Sequence, residues 1–186
     1  METKEKQVSL ARRRSIRLFE LILLTIFGVL MFATKIAMAI LPNVHLIGMF
    51  IMVFTLSFRS KALISIYVYV ALEGLVYGFG TWWISYLYIW AILWGLTMLI
   101  PRRLPKAALA VICPIVCAIH GLLFGALGAP VEAVAHNWNF EQTLAYIAMG
   151  IPFDITHAIS NFCFGLLVLP LALVLERLKK KSRLAQ

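Results

Sequence analysis

Lys35 is a cation inside one apolar run, Leu18 to Leu41, and Glu73 is a carboxylate inside another, Ala62 to Tyr77. A charge at that depth is costly, so it faces a protected interior and meets a partner or a ligand there. His120 lies in a third apolar run, while Asp154, His157 and Asn161 recur at i, i+3 and i+7 and share a helical face. An ammonium can receive a carboxylate, phosphate or amide oxygen, and Glu73 and Asp154 can receive amide or amine donors. Tyr86, Trp90 and Trp94 recur at four-residue steps and offer flat walls for a ring. Together these groups suit the capture of a small polar molecule. Two imidazoles and two carboxylates also permit metal-assisted or acid/base hydrolysis, although the sequence has no His-Glu-x-x-His pair and no Gly-x-Ser-x-Gly elbow.

Each residue has a plainer reading as well. Lys35 can snorkel to the headgroups, or pair with Glu73 as structural glue. Asp154 follows Pro152 and can cap the first turn of a helix that begins there. His120 and His157 can be ordinary interhelical hydrogen-bonders, and Trp82 and Trp83 an interfacial aromatic belt. His45 and His136 fall at or outside the interface and are set aside. The shared depth of the group, more than any one member, favours a ligand site.

The elements that carry these residues are membrane spans. With 62% hydrophobic residues and a mean hydropathy of +0.93, the 186-residue chain has too little polar surface for a soluble domain. The expected fold is all-α: a compact bundle of six transmembrane helices across 18–175, between a basic N-terminal arm, 1–17, and a basic tail, 176–186. The arm reads first as an orientation signal, with a short amphipathic surface helix as the second reading. Span one is Leu18 to Leu41. Span two, Val44 to Phe58, is short enough to be steep or tucked among its neighbours. Spans three to six run from Ala62 to Tyr77, Trp82 to Ile100, Ala107 to Leu127 and Pro152 to Leu175, with one long polar loop, Gly128 to Gly150. Cys113, Cys117 and Cys163 read as small core residues.

In this arrangement 16 of the 17 Lys and Arg fall on one side. The positive-inside rule makes that side the cytoplasm and puts both termini there. Topology thus accounts for the basic charge, and nucleic acid is not an expected partner. Lys35, Glu73, His120, Asp154, His157 and Asn161 then all lie toward the outer face, which argues for a pocket open to the outside and against a conduction path. On helix one, Ala33 and Ala37 are about 40° apart and Lys35 roughly 200° round from Ala33. The helix therefore has a smooth face that another helix can approach and a charged face that looks inward.

The six spans, the Ala33-Thr-Lys-Ile-Ala37 motif, the outer Pro42 turn, the long loop before span six and the outer polar groups resemble the S component of an energy-coupling factor (ECF) vitamin transporter. The resemblance covers essentially the whole chain. It implies a binding and transport subunit, without enzymatic activity, in the cytoplasmic membrane of a bacterium. It further implies docking through Ala33 and Ala37 onto a transmembrane T component that carries two ATP-binding subunits, with no cofactor in this subunit and ATP at its partners. The expected ligand is cobalamin, for a wide mouth bordered by glycines and imidazoles. Pantothenate, pyridoxine-like rings and queuosine precursors are the alternatives. Its expected contacts are Lys35, Glu73, Tyr86, Trp90, His120, Asp154, His157 and Asn161. An intramembrane metal-dependent hydrolase, a structural subunit without ligand and a self-sufficient carrier remain as rivals.

Overall fold

The computed structural model describes residues 2–101 and 103–184, with side chains described between 18 and 181. Arg102, the side chains of the basic arm and that of Arg183 lie outside the described residues. The chain forms α1 (Glu2–Ala37), α2 (Ile47–Phe58), a 3-10 turn (Arg59–Lys61), α3 (Ala62–Tyr77), α4 (Thr81–Leu99), α5 (Lys106–Leu122), α6 (Phe124–His136), α7 (Phe140–Gly165) and α8 (Val168–Leu184). No strand occurs among the described residues.

The basic arm is not a separate surface helix; it continues directly into the first apolar run as one helix of 36 residues. At about 1.5 Å per residue this is roughly 54 Å, well beyond a hydrocarbon core of about 30 Å. One narrow stripe of α1, Leu24, Gly28, Met31 and Lys35, packs on α3, Phe27 beside it reaches α2, and the opposite face, with Leu21, Ile22, Ile26, Val29 and Leu30, is exposed. The close approach depends on Gly28, where a Cβ would lie 2.6 Å from the Ser65 carbonyl oxygen. Ser65 Oγ seals the contact by donating to the Leu24 carbonyl at 2.7 Å.

By contrast, α2 is buried nearly all the way round, as an apolar helix without a polar face must be. Its 12 residues span about 18 Å, and it is enclosed by α1, α3, α4, α5, α7 and α8. This matches the expectation of a short helix tucked among its neighbours. Phe27 stacks on Phe54 at 4.4 Å, while higher on α1 Lys35 meets Glu73 and shares a cavity with His45. So α2 descends as α3 climbs back. The reversal sits at Arg59, which takes φ 57° and is tied to α4 on both sides. Its Nη2 donates to the Met98 carbonyl at 2.7 Å, and Trp94 Nε1 donates to its own carbonyl at 3.1 Å.

The expected long polar loop is absent. Residues 128–150 are almost wholly helical, because α6 and α7 continue to a tight turn at 137–139. Asn137 ends α6 in the left-handed region, and Asn139 opens α7 with a capping box: its Oδ1 accepts from the Gln142 amide and Gln142 Oε1 from its own, both at 2.9 Å. Glycines 121 and 125 face α7, where an added Cβ would meet Asn161 Nδ2 at 2.8 Å and Asp154 Oδ2 at 2.6 Å. Of the three cysteines, Cys113 and Cys117 are buried, but Cys163 faces outward and is not a core residue.

Four stretches are long and apolar enough to cross a membrane: Leu18–Ala37, Ile47–Tyr77, Thr81–Leu99 and Lys106–His136. Helices α7 and α8, bent by 44° at their junction, supply a fifth when taken as one. The second stretch holds the antiparallel pair α2 and α3. The chain is thus an all-helical protein of multi-pass membrane type.

Candidate functional site

Where α1 ends, the chain makes tight turns through 38–46 and enters α2, and this connection forms one wall of a cavity of about 450 Å³. Lys35 and Glu73 lie in its floor, with Tyr77, Trp82 and Tyr86 as aromatic walls and His45 at the rear. Lys35 Nζ is ion-paired with Glu73 Oε2; the carboxylate is fully buried, and the lysine side chain keeps 28% exposure. The same ammonium lies 5.6 Å from the centroid of the Tyr77 ring and 5.4 Å from that of Tyr86. Two electron-rich faces and one carboxylate therefore hold the cation in place, with its remaining surface open to the cavity.

Behind His45 lies a buried polar cluster. His45 and His157 approach to 4.6 Å between ring centroids, and His157 meets Phe124 at 4.8 Å. Trp90 completes the ring, at 5.9 Å from His45 and 5.8 Å from His120, and Tyr86 at 5.4 Å links it to the cavity wall. His120 Nε2 lies 3.0 Å from the Ile89 carbonyl, which can only accept, so this nitrogen carries the proton and Nδ1 presents a lone pair. Asn161 donates its Nδ2 to the Cys117 carbonyl at 3.2 Å and turns its Oδ1 elsewhere.

Five atoms of this cluster are buried with no hydrogen-bond partner among the described residues: His45 Nδ1, Trp90 Nε1, His120 Nδ1, His157 Nε2 and Asn161 Oδ1. Glu73 Oε1 is a sixth, in the floor of the cavity. Each such group costs about 1–3 kcal/mol unless something satisfies it. Their convergence makes a donor-and-acceptor lattice suited to a polar guest.

Of the residues singled out in the sequence, Lys35, Glu73 and Tyr86 line the cavity, while Trp90, His120, His157 and Asn161 form the cluster behind it. Asp154 belongs to neither. It sits in mid-α7 and does not cap its own helix; both its carboxylate oxygens accept from the Gly125 amide, at 3.0 and 3.2 Å. It thereby caps α6 where the α5–α6 path breaks at Leu123. His45, set aside on chain position, lies between the cavity and the cluster. Tyr77 and Trp82 also line the cavity, and Phe124 joins the ring. Ala33 and Ala37 are both exposed on α1. Among the described residues no group of three or more His, Cys, Asp and Glu is arranged to hold a metal ion. Comparison with known proteins returned no matching family model, no matching curated sequence and no matching solved structure.

Proposed function

We propose that this chain is the substrate-capturing S component of an energy-coupling factor type transporter, binding a small water-soluble micronutrient from outside a bacterial cell. The observation that carries this reading is the cavity beside the Lys35–Glu73 pair, with aromatic walls in front of a cluster of unsatisfied buried polar atoms. That combination of apolar walls and a few convergent polar groups is what small-molecule sites share. A volume of about 450 Å³ favours pantothenate, a pyridoxine-like ring or a queuosine precursor over cobalamin, whose macrocycle and appended nucleotide exceed it. Arg59, Lys106 and Lys179 gather at the opposite end of the bundle, which supports placing that end and both termini in the cytoplasm. In that orientation the chain makes six passes, α2 being a short one and α7 with α8 the last.

The exposed small residues Ala33 and Ala37 give a T component a face on which to dock, and ATP is hydrolysed by that partner's two ATP-binding subunits. The chain itself acts as a binder, not an enzyme. The metal-dependent hydrolase loses support because Asp154 is spent on Gly125 and His45, His120 and His157 do not converge with a carboxylate on one point. The test is native mass spectrometry on detergent-purified protein, followed by binding across a panel of water-soluble vitamins. A retained vitamin, or one bound with sub-micromolar affinity, supports the reading; repeated recovery empty with no binding across the panel sinks it.

A further inference from the structure

Two cavities lie along the bundle. One, of about 480 Å³, opens at the far end of α2, where Arg59, Lys106, Lys179 and Glu176 mix with leucines. The other, beside Lys35, has a simpler charge content: of its lining residues only Lys35 and Glu73 carry full charge, one of each sign. The two are joined in an ion pair, and the carboxylate is completely enclosed. The floor of this cavity therefore has no net charge.

Its aromatic walls hold no vacant place for a cation. Ring faces are where a ligand cation settles, and the Lys35 ammonium already lies 5.6 Å from the Tyr77 centroid and 5.4 Å from that of Tyr86. A second cation there would meet the first. Further back, His45, His120 and His157 each have a buried nitrogen without a partner, carboxylate or other, among the described residues. A buried imidazole without a counter-ion stays uncharged, because an enclosed unpaired cation is costly.

Charged guests of either sign are thus at a disadvantage. A carboxylate at the open surface of Lys35 would share the ammonium with Glu73 and leave one negative charge in excess, among walls that include Met38, Ala39, Leu41, Pro42 and Val44. An amine would leave one positive charge in excess. An uncharged ring avoids both costs, since it can lie against Trp82 and Tyr86 and accept from the ammonium through a neutral oxygen or nitrogen. Resting on the reading of the chain as a capture subunit, we propose that its ligand is a heterocycle without net charge, and that the matching acid or amine is rejected. Pantothenate, an acid, is thereby disfavoured among the candidates that fit the volume.

The experiment is calorimetric titration of the detergent-purified full chain at pH 7 with probe pairs that differ in charge. These are pyridoxine against 4-pyridoxic acid, nicotinamide against nicotinic acid, and 7-cyano-7-deazaguanine against 7-aminomethyl-7-deazaguanine. Wild type and Glu73→Gln are compared; the variant keeps the shape of the side chain, and the 28% exposure of Lys35 lets its ammonium be solvated from the cavity. Wild type is expected to hold the uncharged member about tenfold or more tighter in each pair that it accepts. In Glu73→Gln, where the floor gains a positive charge, the acids should gain about tenfold on their uncharged partners. An acid or amine bound by wild type as tightly as its uncharged partner would overturn the charge rule and leave the capture function standing. Selectivity unchanged in Glu73→Gln would show that the ion pair does not set it, and would overturn the inference as well. A vitamin from the wider panel counts in the same way, by its net charge at pH 7. If neither the probes nor the panel bind, the capture function falls and this inference with it. Should Glu73→Gln not purify, Ala39→Lys, exposed in the turn after α1 and lining the cavity, takes its place, with the same shift toward the acids expected and unchanged selectivity counting against the rule.

Discussion

Lys35 on α1 and Glu73 on α3 form an ion pair in which the carboxylate is completely enclosed and the ammonium keeps part of its surface toward the cavity. The asymmetry separates structure from function. Removing the lysine strands a buried carboxylate, whereas removing both charges does not. Lys35→Met is therefore expected to lower stability by about 3 kcal/mol. The double variant Lys35→Met with Glu73→Gln should recover most of that stability and still fail to retain ligand. Thermal unfolding in detergent and ligand retention check the two halves. Recovery of binding along with stability would make the pair structural glue only.

His157 has a ring nitrogen, Nε2, that is buried and that no group among the described residues satisfies. Leucine is close in volume and has no polar atom to strand. His157→Leu is expected to leave stability unchanged or to raise it by up to about 1 kcal/mol, while ligand affinity falls about tenfold. Calorimetric titration with the retained ligand would decide it; an affinity equal to wild type would remove the imidazole cluster from the site.

Asp154 should behave in the opposite sense. Its two contacts are with the Gly125 amide at the start of α6, so Asp154→Asn is expected to cost about 1 kcal/mol of stability. Ligand affinity should stay within twofold or so of wild type, given that the residue does not line the cavity. A large loss of affinity with normal stability would place the carboxylate back among the binding groups.

Ala33 and Ala37 are exposed on α1, on a face that nothing among the described residues covers. Replacing either with Trp should abolish uptake in cells that contain the partner subunits and leave binding by the isolated chain intact. Concurrent loss of binding would show that this face belongs to the pocket.

Much of the candidate site is legible in the sequence, because apolar runs make charged residues conspicuous. Lys35, Glu73, His120, His157 and Asn161 stand out by depth and spacing, and they gather at one end of the bundle. Distance along the chain misstates depth at His45 and at Asp154. His45 follows a turn and looks interfacial, yet the 38–46 connection folds inward and sets it against Trp90 and His157. Asp154 looks like a first-turn residue because Pro152 resembles a helix start. The true start was written earlier, in the Asn139-x-x-Gln142 capping box, and Pro152 is held inside α7. Gly128 to Gly150 resembles a loop through its Gly, Pro and polar residues, but a membrane helix tolerates an internal proline when its neighbours resatisfy the backbone, and Pro130 lies within α6.

The two cavities lie at opposite ends of the same short helix, since Val44 and His45 open one just before α2 begins and Ser57 and Arg59 open the other where it finishes. The molecule is an hourglass whose neck is α2. Only about 18 Å of dry packing separates its two bowls, against about 30 Å of hydrocarbon in the surrounding bilayer. A membrane voltage falls mainly across the packed part, so the field in the neck is about 1.7 times that in the adjacent lipid. Lys35 and Arg59 stand at the two rims of that neck, where the focused field acts on charge most strongly.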